Sequence, residues 1–196
     1  MAADLHLTAG SARAQLLDPP DPKTSVWAYD GTVPGPALRV RQNDPVRISV
    51  KNQLEEPTTV HWHGIRVPNA MDGVPYLTQA PIAPGETFAY EFVPPDAGTF
   101  WYHPHQRSFE QVGRGLYGAL IVEEQVPILV DRDLTWVLGD WRLGPDAAIN
   151  HGFAHPMDVA RSRHAGPPPP VRRRRPRPLP ARPGPPLALR PPPPPT

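Results

Sequence analysis

Alternation of polar and apolar residues is the dominant pattern in the first two thirds of the chain. Arg47-Ile48-Ser49-Val50-Lys51 alternates without a break. Thr87-Phe88-Ala89-Tyr90-Glu91-Phe92 does the same, with its aromatics two apart. Thr58–His63, Gly98–His103 and Gly118–Val122 add runs rich in β-branched and aromatic residues. A period of two places every second side chain on one face of a strand, so these runs predict half-buried strands. Between them stand turn formers: Asp30-Gly31, Pro34-Gly35-Pro36, Asn43-Asp44-Pro45, Pro84-Gly85 and Pro94-Pro95-Asp96. Short strands at this spacing predict an all-β sandwich or barrel over residues 24–125. No convincing helical period is visible.

The flanking segments differ. Residues 1–23 read as a leader. Residues 126–160 read as a linker followed by the opening of a second β domain: Leu134–Leu138 has strand character, and Gly139-Asp140-Trp141 turns the chain. That pattern then fades. Residues 161–196 are low-complexity sequence built largely of Pro and Arg, with too little apolar surface to offset chain entropy. They are expected to be disordered, with polyproline II character.

Composition changes this picture in two ways. The formal charge of +1 conceals a division. Residues 1–160 hold 11 Lys/Arg and all 19 Asp/Glu, whereas residues 161–196 hold 9 Arg and no acid. The averaged basicity therefore does not make this a nucleic-acid-binding protein. The Arg172–Arg175 run is a candidate polyanion footprint, but Pro, Arg, Ala and Gly are also what a GC-rich gene yields in a wrong frame. We favour a frameshift origin for the tail. Secondly, the chain has 32 prolines and no cysteine. Disulfides, thiolate metal sites, cysteine nucleophiles and a Cys-ligated blue-copper centre are all excluded. No apolar run reaches the ~20 residues of a membrane helix. No signal peptide is visible at Met1-Ala-Ala-Asp4-Leu-His6.

Histidine placement carries the chemistry. Four of the eight histidines form two pairs, His61-Trp62-His63-Gly64 and Trp101-Tyr102-His103-Pro104-His105. On a strand, residues i and i+2 share a face about 6.6 Å apart, too wide for a tight chelate along one strand. If the two strands are neighbours, four imidazoles converge, an arrangement able to feed several metal ions. Imidazole suits Cu, Zn, Fe and Ni. A single His-x-His is more often a polar strand face. Two pairs, each carried by Trp, are harder to read that way.

These residues also carry a family resemblance. Tyr29-Asp30-Gly31-Thr32-Val33-Pro34-Gly35-Pro36, His61-Trp62-His63-Gly64, Met71-Asp72-Gly73-Val74-Pro75, Gly98–His105 and Gly115–Val122 occur in the order found in the first cupredoxin domain of multicopper oxidases. The resemblance spans about Val26 to Glu124 and implies a cupredoxin-like Greek-key β-sandwich or barrel. It further implies copper as cofactor, with His61 on the type 2 ion and His63, His103 and His105 on the type 3 pair. Asp72 would hydrogen-bond cluster water and relay protons, although residue type alone reads it as a turn Asp. Trp62 and Trp101 are read as packing residues. Partners of the parent enzyme would be O2 and a reducing substrate, and its compartment periplasmic or extracellular if a signal lies upstream.

Departures from the family pattern limit these expectations. Without Cys there is no type 1 copper and no His-Cys-His path for electrons. His6, His151, His155 and His164 do not restore the second half of a trinuclear cluster. The expected function is half of a copper cluster in a truncated chain that does not turn over alone. A copper-buffering module and a Pro/Arg-tailed interaction protein are the competing readings.

Overall fold

The computed structural model describes residues 3–150 and 152–153. The expected tail, with His155 and His164, and also His151 lie outside the described residues. Among the described residues, eight strands make two four-stranded sheets. The first sheet contains β1 (Ala3–Ala14), β2 (Thr24–Tyr29), β4 (Val46–Asn52) and β6 (Thr87–Phe92), in the order β2-β1-β4-β6. The second contains β3 (Leu38–Arg41), β5 (His61–His63), β7 (Gly98–His103) and β8 (Gly118–Glu123), in the order β3-β8-β7-β5. Successive strands cross repeatedly between the sheets, so the two layers are sewn together along the chain. The all-β sandwich expected from the alternation is the observed fold, with the two-sheet architecture that the resemblance to a cupredoxin domain implied.

Alternation translates directly into burial. In β4, Val46, Ile48, Val50 and Asn52 are buried, while Arg47 and Lys51 are exposed. The core between the sheets collects Leu7, Ile48, Val50, Val60, Trp62, Tyr90, Phe92, Phe100, Tyr102 and Leu120. Trp62 is the hub of its aromatic part, with ring centroids 5.3 Å from Tyr90, 5.4 Å from Phe92 and 6.1 Å from Tyr102. Tyr102 is seated by a close approach. A Cβ on Gly118 would lie 2.3 Å from its ring, and its hydroxyl donates to the Pro36 carbonyl at 2.7 Å.

Two segments differ from expectation. Residues 3–14, read as part of a leader, form β1, the longest strand, paired in parallel with β4 and antiparallel with β2. Leu5, Leu7 and Ala9 already alternate with Asp4, His6 and Thr8, but Ala and Gly weaken the strand signal. Leu134–Leu138 forms no strand. The chain from Val126 to Leu138 finds no ladder partner among the described residues, and Val126, Leu129, Trp136 and Leu138 are exposed. The one described α-helix is short, α1 (Ser108–Gly113). No helix among the described residues is long and apolar enough to cross a membrane.

Candidate metal centre

The second sheet places the two histidine pairs side by side. β5 pairs antiparallel with β7, with His61 opposite His103, Trp62 opposite Tyr102 and His63 opposite Trp101. Pleating then divides the residues by face. Trp62 and Tyr102 turn into the core, and His61, His63, Trp101 and His103 share the outer face. The Trp within each His pair is thus not equivalent. Trp62 is fully buried, whereas Trp101 lies against the histidines, its ring stacked on His103 at 4.0 Å and 4.9 Å from His63.

His61, His63 and His103 each offer a nitrogen, and these three atoms lie within 4.8 Å of one another. His63 Nδ1 and His103 Nε2 are 3.3 Å apart. Two nitrogens at about 2.0 Å from one ion are separated by at most about 4 Å, so this pair already fits a single ion. The wide i, i+2 spacing expected along one strand is overcome by ring tilt: His61 and His63 meet edge to face, 5.5 Å between centroids. His105 lies past the end of β7, and its ring centre is 5.4 Å from that of His61.

Hydrogen bonds set which nitrogen each ring presents. His61 Nδ1 donates to the Asp72 carbonyl at 2.8 Å, and the Asp72 carboxylate lies 3.2 Å from the same atom. His103 Nδ1 donates to the Pro104 carbonyl at 2.9 Å. Both rings are therefore left with an unprotonated Nε2 as the electron-pair donor to a metal, that of His103 facing His63 Nδ1. Burial pushes the pKa of His103 down to about 4, with lesser contributions from His61, His63 and His105. Burial, and then His61 and His105, lower that of His63. Both imidazoles are therefore neutral, as ligands must be, near pH 7.

Asp72 reaches His61 through a glycine. Asn69–Met71 makes one 3-10 turn, and Asp72 closes it with its N–H on the Asn69 carbonyl. Gly73 follows at φ +76°, where a Cβ would stand 1.8 Å from the Val60 carbonyl oxygen. Only glycine lets this loop lie against the residue that leads into β5. Sequence reasoning placed Asp72 near the site but gave Gly73 no role. Its signal is the Asp-Gly pair, which reads equally well as any turn.

The segment before β5 is joined to the turn after β7. Glu56 pairs with Arg107 at 2.7 Å. Gln111, fully buried on α1, donates from Nε2 to the Pro57 carbonyl and accepts from Thr58 Oγ1 at 2.7 Å. The His105 N–H donates to Thr59 Oγ1 at 3.2 Å. Of the other histidines, His6 is exposed on β1.

Comparison with known proteins agrees with this architecture. A family model described as multicopper oxidase matches residues 12–126. Copper resistance protein A of Escherichia coli is 44% identical over 114 residues, which is 57% of this chain and 18% of that protein. Multicopper oxidase MmcO of Mycobacterium tuberculosis is 41% identical over 129 residues, covering 65% of this chain and 25% of its own length. Among solved structures, a multi-copper oxidase from Pseudomonas thermotolerans superposes with a TM-score of 0.77 at 45% identity, over 82% of this chain and 38% of that one. The chain thus spans about a fifth to a quarter of the length of these curated relatives.

Proposed function

Because the chain belongs to the multicopper oxidase family, we propose that His61, His63, His103 and His105 form a copper-binding face supplying one half of a cluster that serves O2 reduction. The observation that carries this reading is the convergence of three imidazole nitrogens within 4.8 Å. Support comes from the ring orientation, with the Nδ1 atoms of His61 and His103 engaged by carbonyls and the Nε2 atoms left unprotonated. Copper held here would supply the one-electron chemistry that the family couples to reduction of O2 to water. In this reading His63 and His103 would hold one type 3 ion, His61 the type 2 ion, and His105 the second type 3 ion. Asp72 fixes the His61 ring through its carbonyl. Its carboxylate, half-buried at the edge of the site, exchanges protons with water there. The reducing substrate and O2 belong to the complete enzyme, whose compartment would be periplasmic or extracellular.

The lack of cysteine in all 196 residues favours a second reading for the chain by itself, a copper-binding module without turnover. A blue-copper centre needs a thiolate to admit electrons, and this chain has none. Equilibrium dialysis against Cu(II), followed by metal analysis, tests the shared premise. The wild-type chain is expected to retain more copper than the His61→Ala/His103→Ala variant, and equal stoichiometry would reject the site. Oxygen uptake with a phenolic reductant separates the two readings. The isolated chain is expected to stay at the free-copper background.

A further inference from the structure

We propose that Thr59 and Gln111 are positioning residues for His105, acting as a latch between the strand entry of one histidine pair and the turn that carries the other. The inference rests on the copper reading above for its function but not for its geometry. The β5–β7 ladder covers only three residue pairs and ends at His61 and His103. It cannot place His105. The intervening Pro104 has no N–H and cannot extend a ladder. What holds His105 is instead a series of side-chain bonds. Its own N–H goes to Thr59 Oγ1, and α1, three residues on, is anchored to Pro57 and Thr58 by Gln111.

Burial argues that these bonds matter. Thr59 and Gln111 are both fully buried. A primary amide placed there is tolerable only with its polar atoms satisfied, and residues 57–58 take both ends of Gln111. The amide stands in for a peptide unit: one of its N–H groups donates to the Pro57 carbonyl and its oxygen accepts from the Thr58 hydroxyl. Losing Gln111 takes the amide partner from the buried Thr58 hydroxyl, and losing the Thr59 hydroxyl takes the partner from the His105 N–H; either frees the turn at His105 to move. Outer partners of metal ligands are typically worth 10–100-fold in affinity.

The test uses the full chain and two readouts. In the metal-free protein, nuclear Overhauser contacts between the His61 and His105 ring protons report the 5.4 Å arrangement. They are expected in wild type and Thr59→Ser, which keeps the hydroxyl, and lost in Thr59→Val and Gln111→Met. Undiminished contacts in both of the latter variants overturn the proposal. So does failure of both to fold, which would make these residues core supports only. In the copper-loaded protein, Thr59→Val is expected to lower Cu(II) affinity about 10–100-fold in the wild-type background and by no further factor with His105→Ala. Equal losses in both backgrounds would mean that Thr59 does not act through His105. If wild type binds no copper while the ring contacts behave as stated, the metal reading fails and the latch stands.

Discussion

His61 Nδ1 lies 2.8 Å from the main-chain carbonyl of Asp72 and 3.2 Å from its carboxylate. The carbonyl is the nearer acceptor, so the ring does not depend on the Asp side chain for its orientation. Asp72→Asn is therefore expected to keep Cu(II) affinity within about tenfold of wild type. A collapse of binding in Asp72→Asn, measured by competition with a chromogenic chelator, would show that the carboxylate and not the carbonyl governs the ring.

Gly73 should prove more sensitive than Asp72. A Cβ placed 1.8 Å from the Val60 carbonyl cannot be accommodated without moving one of the two chains, and φ +76° disfavours any other residue. Gly73→Ala is expected to lower the melting temperature and to cost more copper affinity than Asp72→Asn. The reverse ranking would mean that the loop and β5 can separate without disturbing His61.

The metal-free domain should lose stability with acidification in a window set by His103. Its pKa falls from 6.5 to about 4 on burial, so between these values the unfolded chain binds more protons than the folded one. Stability therefore rises with pH across the window, and this contribution is lost as pH falls from about 6.5 to about 4. His63 adds to the trend in the same direction. His103→Asn keeps a donor near the Pro104 carbonyl but does not titrate. As pH is lowered from 6.5 to 4, urea midpoints should fall less steeply in that variant. Parallel slopes would assign the acid sensitivity to carboxylates instead.

Core and metal face can be separated by two substitutions of unlike reach. Trp62 packs against Tyr90, Phe92 and Tyr102 and sits between His61 and His63, so Trp62→Ala should cost about 3–5 kcal/mol and weaken copper binding as well. Ile48 is equally buried but lies on β4 in the other sheet. Ile48→Val should cost about 0.5–1.5 kcal/mol and leave affinity unchanged. Denaturant titration and copper titration of the same samples read both effects. A copper defect in Ile48→Val would show that the face responds to stability in general.

Legibility in the sequence tracked the range of the physical signal. Strand alternation is local, so β4, β6 and the two His-bearing strands could be read from their own residues. The histidine pairs were legible because period two puts i and i+2 on one face. Their juxtaposition, however, is a long-range fact that spacing alone only permits. Gly73 and Gln111 were not legible. Their roles exist only against Val60 and against Pro57 and Thr58, which are distant in sequence. β1 was missed for a different reason. Its Ala, Gly and Ser residues have little intrinsic preference for strands, and partners on both sides hold them there.

That double pairing has a practical meaning. The first half of β1 lies along β4, from Ala3↔Val46 to Ala9↔Asn52, and the second half along β2, from Ala9↔Tyr29 to Ala14↔Thr24. Removing it would uncover an edge on each neighbour, and unpaired edges invite foreign strands. A chain opened between Ala14 and Thr24 would then be a two-piece molecule. Its larger piece would carry all four paired histidines, and a 12-residue peptide returned in trans would restore the sheet that supports them.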